Sequence, residues 1–122
     1  MHVRHLQACA EFIAGDNSHL REILNPLKET LNIHYSLAWA MVKPGEKTLP
    51  HTLDNTEVYY ILNGAGLIYI NNEETRIKPH DVIYIPAQAV QYVENDTNEP
   101  LEFLCIVDPA WEESSEHLIN IE

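Results

Sequence analysis

From about residue 33 onward, apolar and polar residues alternate in short runs. Tyr35, Leu37, Trp39 and Met41 interleave with His34, Ser36, Ala38 and Ala40, the period of two that marks a strand. Lys43-Pro44-Gly45-Glu46 is a turn. Val58 to Leu62 is rich in aromatic and β-branched residues and stops at Asn63-Gly64. Leu67 to Ile70 follows, and Asn71-Asn72 predicts a hairpin because asparagine tolerates positive φ. Thr75 to Ile77 returns, Lys78 to Asp81 turns, and Val82 to Ile85 is stopped by Pro86. Further strands are predicted over Ala89 to Val93 and Leu101 to Val107, the latter ended by Asp108-Pro109. Seven or eight short strands with closely spaced turns predict an all-β sandwich or barrel. Nothing helical interrupts them, which excludes a parallel α/β sheet.

The first 30 residues have a different texture. Asp16-Asn17-Ser18 offers N-cap candidates ahead of His19 to Leu24, and Pro26 soon follows, so one short helix is predicted there. Val3, Leu6, Phe12 and Ile13 could supply an edge strand or cover one. The chain is divided accordingly. Residues 1–32 form an N-terminal arm and short helix packing on the barrel, 33–108 the barrel, and 109–122 an acidic tail, partly helical or loose.

Composition narrows the partners. The 122 residues carry 19 acidic and 7 basic side chains, a net charge of −12. After Lys78 there is no Lys or Arg at all. Such a surface repels phosphates, so nucleic acid and anionic membrane are not expected partners, and the excess charge is read as solubility. Two distant cysteines, Cys9 and Cys105, exclude a disulfide framework and a Cys-based zinc finger. No apolar run is long enough to span a bilayer, and Met1 to His5 lack the core of a signal peptide, so a cytoplasmic protein is expected.

Two stretches then carry chemistry. The first runs Gly45, five residues, His51-Thr52-Leu53, three residues, Glu57, six residues, Gly64. The second runs His80-Asp81, three residues, Ile85-Pro86-Ala87-Gln88, two residues, Gln91, three residues, Asn95. Together they resemble the paired motifs of the cupin superfamily, Gly-x5-His-x-His-x(3,4)-Glu-x6-Gly and Gly-Asp-x3-Ile-Pro-x-Gly-x2-His-x3-Asn. Leu53 stands where the family has its second His, Gln91 where it has its third, and His80 and Gln88 where it has glycines. The resemblance covers roughly residues 33 to 108. It implies a small double-stranded β-helix, or jelly-roll barrel, with a site in its mouth, and commonly a homodimer. Cupins typically hold Fe, Mn, Ni, Cu or Zn through three His and one Glu, and serve as dioxygenases, isomerases, epimerases, decarboxylases, lyases or cyclases. Others are metal-free binding or storage proteins.

Carried onto this chain, the metal positions are His51, Glu57 and Gln91. One imidazole, one carboxylate and one amide oxygen form a harder donor set than the family's, suited to Mn, Fe(II), Zn or Ni rather than Cu. Open positions would let a metal polarise a carbonyl or hydroxyl, with Glu57 or a bound water moving the proton. Without metal, the same three groups could form a satisfied polar network, and His51 could act as general acid or base. Tyr35, Trp39 and Met41 share one strand face and could line a pocket, although aromatics on strands are more often core. Two functions therefore stand open. One is a divalent-metal-dependent enzyme (an isomerase, lyase or cyclase sooner than an oxygenase) acting on a sugar, hydroxy acid or cyclic ketide, with Glu57 and His51 catalytic. The other is a metal-free ligand-binding or sensing protein. A C2 homodimer is expected.

Overall fold

The computed structural model describes residues 1–119. Eleven strands follow in chain order: β1 Glu11–Ile13, β2 His19–Leu24, β3 Ser36–Val42, β4 His51–Leu53, β5 Thr56–Asn63 and β6 Gly66–Ile70. Then come β7 Glu73–Ile77, β8 Val82–Ile85, β9 Gln91–Glu94, β10 Leu101–Asp108 and β11 Glu116–Leu118. They form two antiparallel sheets in the order β1-β2-β3-β10-β5-β8 and β11-β4-β9-β6-β7. This is the barrel that the alternation and the paired motifs predict. Among the described residues no helix is long and apolar enough to cross a membrane.

The N-terminal segment departs from the expectation. His19–Leu24 is a strand, not a helix, and the helical structure before it is a 3-10 turn at Leu6–Ala8. The reason is local. Asp16 Oδ1 accepts from Ser18 N at 3.0 Å and from Ser18 Oγ at 2.7 Å, with Asn17 at φ +73°. The Asp-Asn-Ser run therefore closes a hairpin rather than capping a helix. β2 pairs with β1 on one side and with β3 on the other. Within the tail, Glu113–Ser115 is a 3-10 turn and β11 pairs with β4, while the end of the segment, 120–122, lies outside the described residues.

Side chains stack in layers across the larger sheet. On β10, Leu101 pairs with Val42, Phe103 lies between Ala40 and Ile61, Cys105 between Ala38 and Tyr59, and Val107 between Ser36 and Glu57. At the first end Val42, Ile61, Leu101 and Phe103 pack against Ile68, Ile77 and Val93 of the smaller sheet and fill the barrel. At the other end the β3 residues are small, and a cavity remains. The even-numbered residues of β3 therefore face inward. Tyr35, Leu37, Trp39 and Met41 lie on the opposite face, and none of them lines the cavity. Trp39 is nonetheless buried, because the Arg21 guanidinium lies 5.6 Å from its ring centroid. Arg21 in turn donates to Cys9 O at 2.7 Å and Gln7 O at 3.3 Å, so the N-terminal arm covers that outer face.

Several motif residues outside the cavity have structural roles. Asn95 is fully buried, donates from Nδ2 to Val42 O at 2.9 Å and Glu99 O at 2.7 Å, and accepts at Oδ1 from Thr97 N and Oγ1. Asp81 accepts from Lys78 N and closes its turn. His80 and Gln88, at the two glycine positions, keep the left-handed backbone, with φ of +77° and +70°. Gly64 is required outright: at φ +79° a Cβ there would lie 2.2 Å from Pro100 O.

Candidate active site

The cavity is about 90 Å³ in volume. Its walls are apolar, with Leu20, Ala38, Ala40, Leu53, Phe103 and Val107 among them. Its polar side gathers Asp16, Ser18, His51, Glu57 and Glu116. This is a small version of the concave, mostly apolar site with a few aimed polar groups that binds small molecules.

His51 opens β4 and is almost fully buried. Its Nδ1 lies 2.9 Å from Leu49 O. A carbonyl can only accept, so Nδ1 carries the hydrogen and Nε2 is turned to the cavity side. There Nε2 stands 4.0 Å from Asp16 Oδ2. The backbone ties the two together, since Leu49 N donates to Asp16 O at 2.7 Å.

Glu57 sits on β5 in the other sheet and is 6% exposed. Among the described residues its buried Oε1 has no hydrogen-bond partner. Burial in this apolar end pushes its pKa from 4.5 up to about 8; the Asp16 carboxylate adds to the rise, as does Glu116, while the polar groups of Gln91 and Tyr59 pull partly back. Glu57 is therefore a carboxylic acid at neutral pH. Burial likewise raises Glu116, with Asp16 adding to the rise and His51 opposing it.

Gln91 is buried and pairs in register with His51. It does not line the cavity; its Oε1 accepts from the Tyr59 hydroxyl at 2.9 Å. Tyr59 is braced by Phe103, with ring centroids 4.5 Å apart, and burial raises its pKa well above the ordinary phenol value. Cys105 also lines the cavity, and burial raises its thiol, so it is a hydrophobic wall rather than a nucleophile.

The donor set can be tested against the divalent ion that the motif implies. Leu53 is buried on the cavity wall and offers no donor. The Gln91 oxygen is engaged by Tyr59. Among the described residues no three His, Cys, Asp or Glu side chains converge at ligating spacing. With Leu53 and Gln91 at two of the family's His positions, the donor set departs from the three-His, one-Glu centre that the motif implies.

Asp16, Glu116 and Trp111 are the site residues that the sequence reading missed. Asp16 falls in a run that also reads as a helix cap, and Glu116 in a stretch that reads as an acidic tail, partly helical or loose. Asp16 reaches the cavity from the β1–β2 turn, Glu116 through the pairing of β11 with β4, and Trp111 from the segment after β10, where its N–H donates to Ser36 Oγ; the last two contacts are distant in sequence and leave no local signal.

Residues 38–107 match the Cupin_2 family, described as a cupin domain. The chain is 38% identical over 110 residues to an uncharacterised protein of Methanocaldococcus jannaschii, covering 89% of this chain and 87% of that one. It is 37% identical over 51 residues to the oxalate-binding protein of Thermotoga maritima, covering 42% of each. In structure it resembles the polyketide cyclase RemF of Streptomyces resistomycificus, with a TM-score of 0.83 at 16% identity, covering 100% of this chain and 87% of that one. At that identity the likeness speaks to fold alone.

Proposed function

Because the chain belongs to the cupin domain family, and because its donor set departs from a metal centre, we propose a small-molecule site that works by proton transfer without a divalent ion. The reading rests on one observation above all: His51 and the buried Glu57, from opposite sheets, border one mostly apolar cavity.

Glu57, held as the neutral acid, is the proton donor. His51, with Nδ1 fixed on Leu49 O, is the acceptor through Nε2. The two come from opposite sheets, so a ligand in the cavity is flanked by an acid and a base whose environments differ. That arrangement suits isomerisation, elimination or cyclisation, in which one proton leaves and another arrives. Asp16 lies within 4.0 Å of Nε2 and stabilises the imidazolium when it forms.

The test is a thermal-shift and ligand-observed NMR screen of neutral, cationic and anionic compounds a few heavy atoms in size. It runs on the wild type and on Ala38→Leu, which fills the cavity. Hits are then followed in D2O for exchange of their C–H protons. The expected result is ligands that stabilise the wild type but not Ala38→Leu, with exchange lost in Glu57→Gln. A wild type that no compound stabilises more than it stabilises Ala38→Leu would overturn the ligand site. Exchange unaffected by Glu57→Gln would overturn the acid assignment.

A further inference from the structure

The two sheets are joined inside the barrel by one polar link, and it sits beside the acid and the base. Among the described residues, the Tyr59 hydroxyl donating to Gln91 Oε1 at 2.9 Å is the one buried side-chain to side-chain hydrogen bond that crosses from sheet to sheet. Register places its ends. Tyr59 lies two residues from Glu57 on β5, so both side chains point inward from the larger sheet, and both are buried. Gln91 opens β9 in the smaller sheet and stands opposite His51 of β4. The bond therefore ties a neighbour of the acid to the register partner of the base. Neither end is loose. The Tyr59 ring packs on Phe103 with centroids 4.5 Å apart, and Gln91 is 2% exposed.

The same bond decides which way the Gln91 amide faces. A side-chain amide accepts at its oxygen and donates from its NH2 group. Burial raises the Tyr59 phenol well above its ordinary value, so it keeps its proton and stays a donor. With Oε1 taken by that donor, the NH2 group is what Gln91 has left to offer. Its effect falls on Glu57. The polar groups of Gln91 and Tyr59 both pull the Glu57 pKa down against burial, which is the direction that donors near a carboxyl give. We propose that Tyr59 and Gln91 are the positioning pair of this site: their hydrogen bond across the sheets holds the Gln91 amide toward Glu57 and so fixes where the acid stands. The pair acts through Glu57. This rests on Glu57 being the neutral acid of the proposed reading, and it names the residues that hold that acid in place.

Infrared difference spectra of the full chain at neutral pH test the pair without any ligand. Each protein is compared with the same protein carrying Glu57→Gln, which isolates the C=O stretch of the Glu57 carboxylic acid above the amide band. The proteins are the wild type, Tyr59→Phe, Tyr59→Phe with Gln91→Met, and Asn95→Ala, each checked for fold by circular dichroism. Tyr59→Phe leaves Gln91 Oε1 unpaired, whereas the double variant removes both partners and orphans neither, so it keeps the test open where the single variant does not fold. Asn95→Ala loses bonds to Val42 O and Glu99 O at the filled end of the barrel and shows what lost stability does by itself. Expected is a carboxylic acid band in the wild type that moves to higher frequency in both Tyr59 variants, as a carbonyl does when donors are withdrawn, and stays in place in Asn95→Ala. A band that the Tyr59 variants leave in place, or that Asn95→Ala moves as far, would overturn the positioning role and leave the neutral acid standing. Failure of both Tyr59 variants to fold would also overturn it, in favour of a purely structural bond. A wild type without the band would overturn the neutral acid of the proposed reading, and the positioning role with it.

Discussion

Removing the buried acid should change how stability depends on pH. In the folded protein Glu57 gives up its proton at about 8 rather than 4.5, chiefly because of burial. Between those values the native state holds a proton that the unfolded chain has released. Unfolding then releases a proton, so stability falls as pH rises, and the loss is complete above about pH 8. Raised to that extent, the carboxyl costs about 5 kcal/mol at pH 9 relative to pH 4.5, an upper bound because water drawn to the charge relaxes it. Glu57→Gln removes this slope while keeping the shape of the side chain. The variant is expected to match the wild type within about 1 kcal/mol near pH 4.5 and to exceed it by about 3 kcal/mol at pH 9. Urea unfolding followed by circular dichroism, on protein dialysed against EDTA, gives the comparison. With an m-value of about 1.5 kcal/mol/M, the midpoint at pH 9 should rise by about 2 M. Groups remote from Glu57 are present in both proteins and cancel in the difference, while Glu116, which repels Glu57, contributes to it. Parallel pH curves for the two proteins, or a variant less stable at pH 9, would refute the buried neutral acid.

Three further outcomes are expected. Asn95→Ala strips partners from the Val42 and Glu99 carbonyls and from Thr97 N, and should destabilise by about 3 kcal/mol, read as a drop in the urea midpoint. His80→Gly removes a side chain from a left-handed position and should stabilise by about 1 kcal/mol in thermal unfolding; a loss would mean that the packing of His80 on Tyr60 outweighs the strain. The outer strands β1 and β8 expose Phe12, Ile13, Val82 and Tyr84, and size-exclusion chromatography with light scattering should give a dimer of the 14.0 kDa chain, a result that a clean monomer would contradict.

Most of the barrel could be read from the chain because its signals are local. Period-two alternation, β-branched runs and asparagine or proline turns each act within a few residues, and the strands from Ser36 to Asp108 follow them, except the three-residue β4 at His51–Leu53, too short to carry such a signal. His19–Leu24 was misread because Asp16-Asn17-Ser18 serves a helix cap and a hairpin turn equally well, and strand pairing with β3 decided between them. The inward face of β3 was not legible for a related reason. Its bulky residues suggest a core, but the N-terminal arm buries Trp39 from outside and leaves Ser36, Ala38 and Ala40 to line the cavity. In the site, His51 and Glu57 could be picked out by motif spacing. Asp16 and Glu116 could not, since only the folded register brings a loop near residue 16 and a strand near residue 116 to the same end of the barrel.

The central claim is that His51 and Glu57 serve a proton-transfer pocket without a divalent ion. Its most direct test is the metal content of purified, untagged protein by mass spectrometry, before and after incubation with Mn, Fe(II), Ni and Zn, beside His51→Ala and Glu57→Ala. The account predicts metal far below one ion per chain in all three proteins. A near-stoichiometric ion in the wild type, lost in both variants, would contradict it.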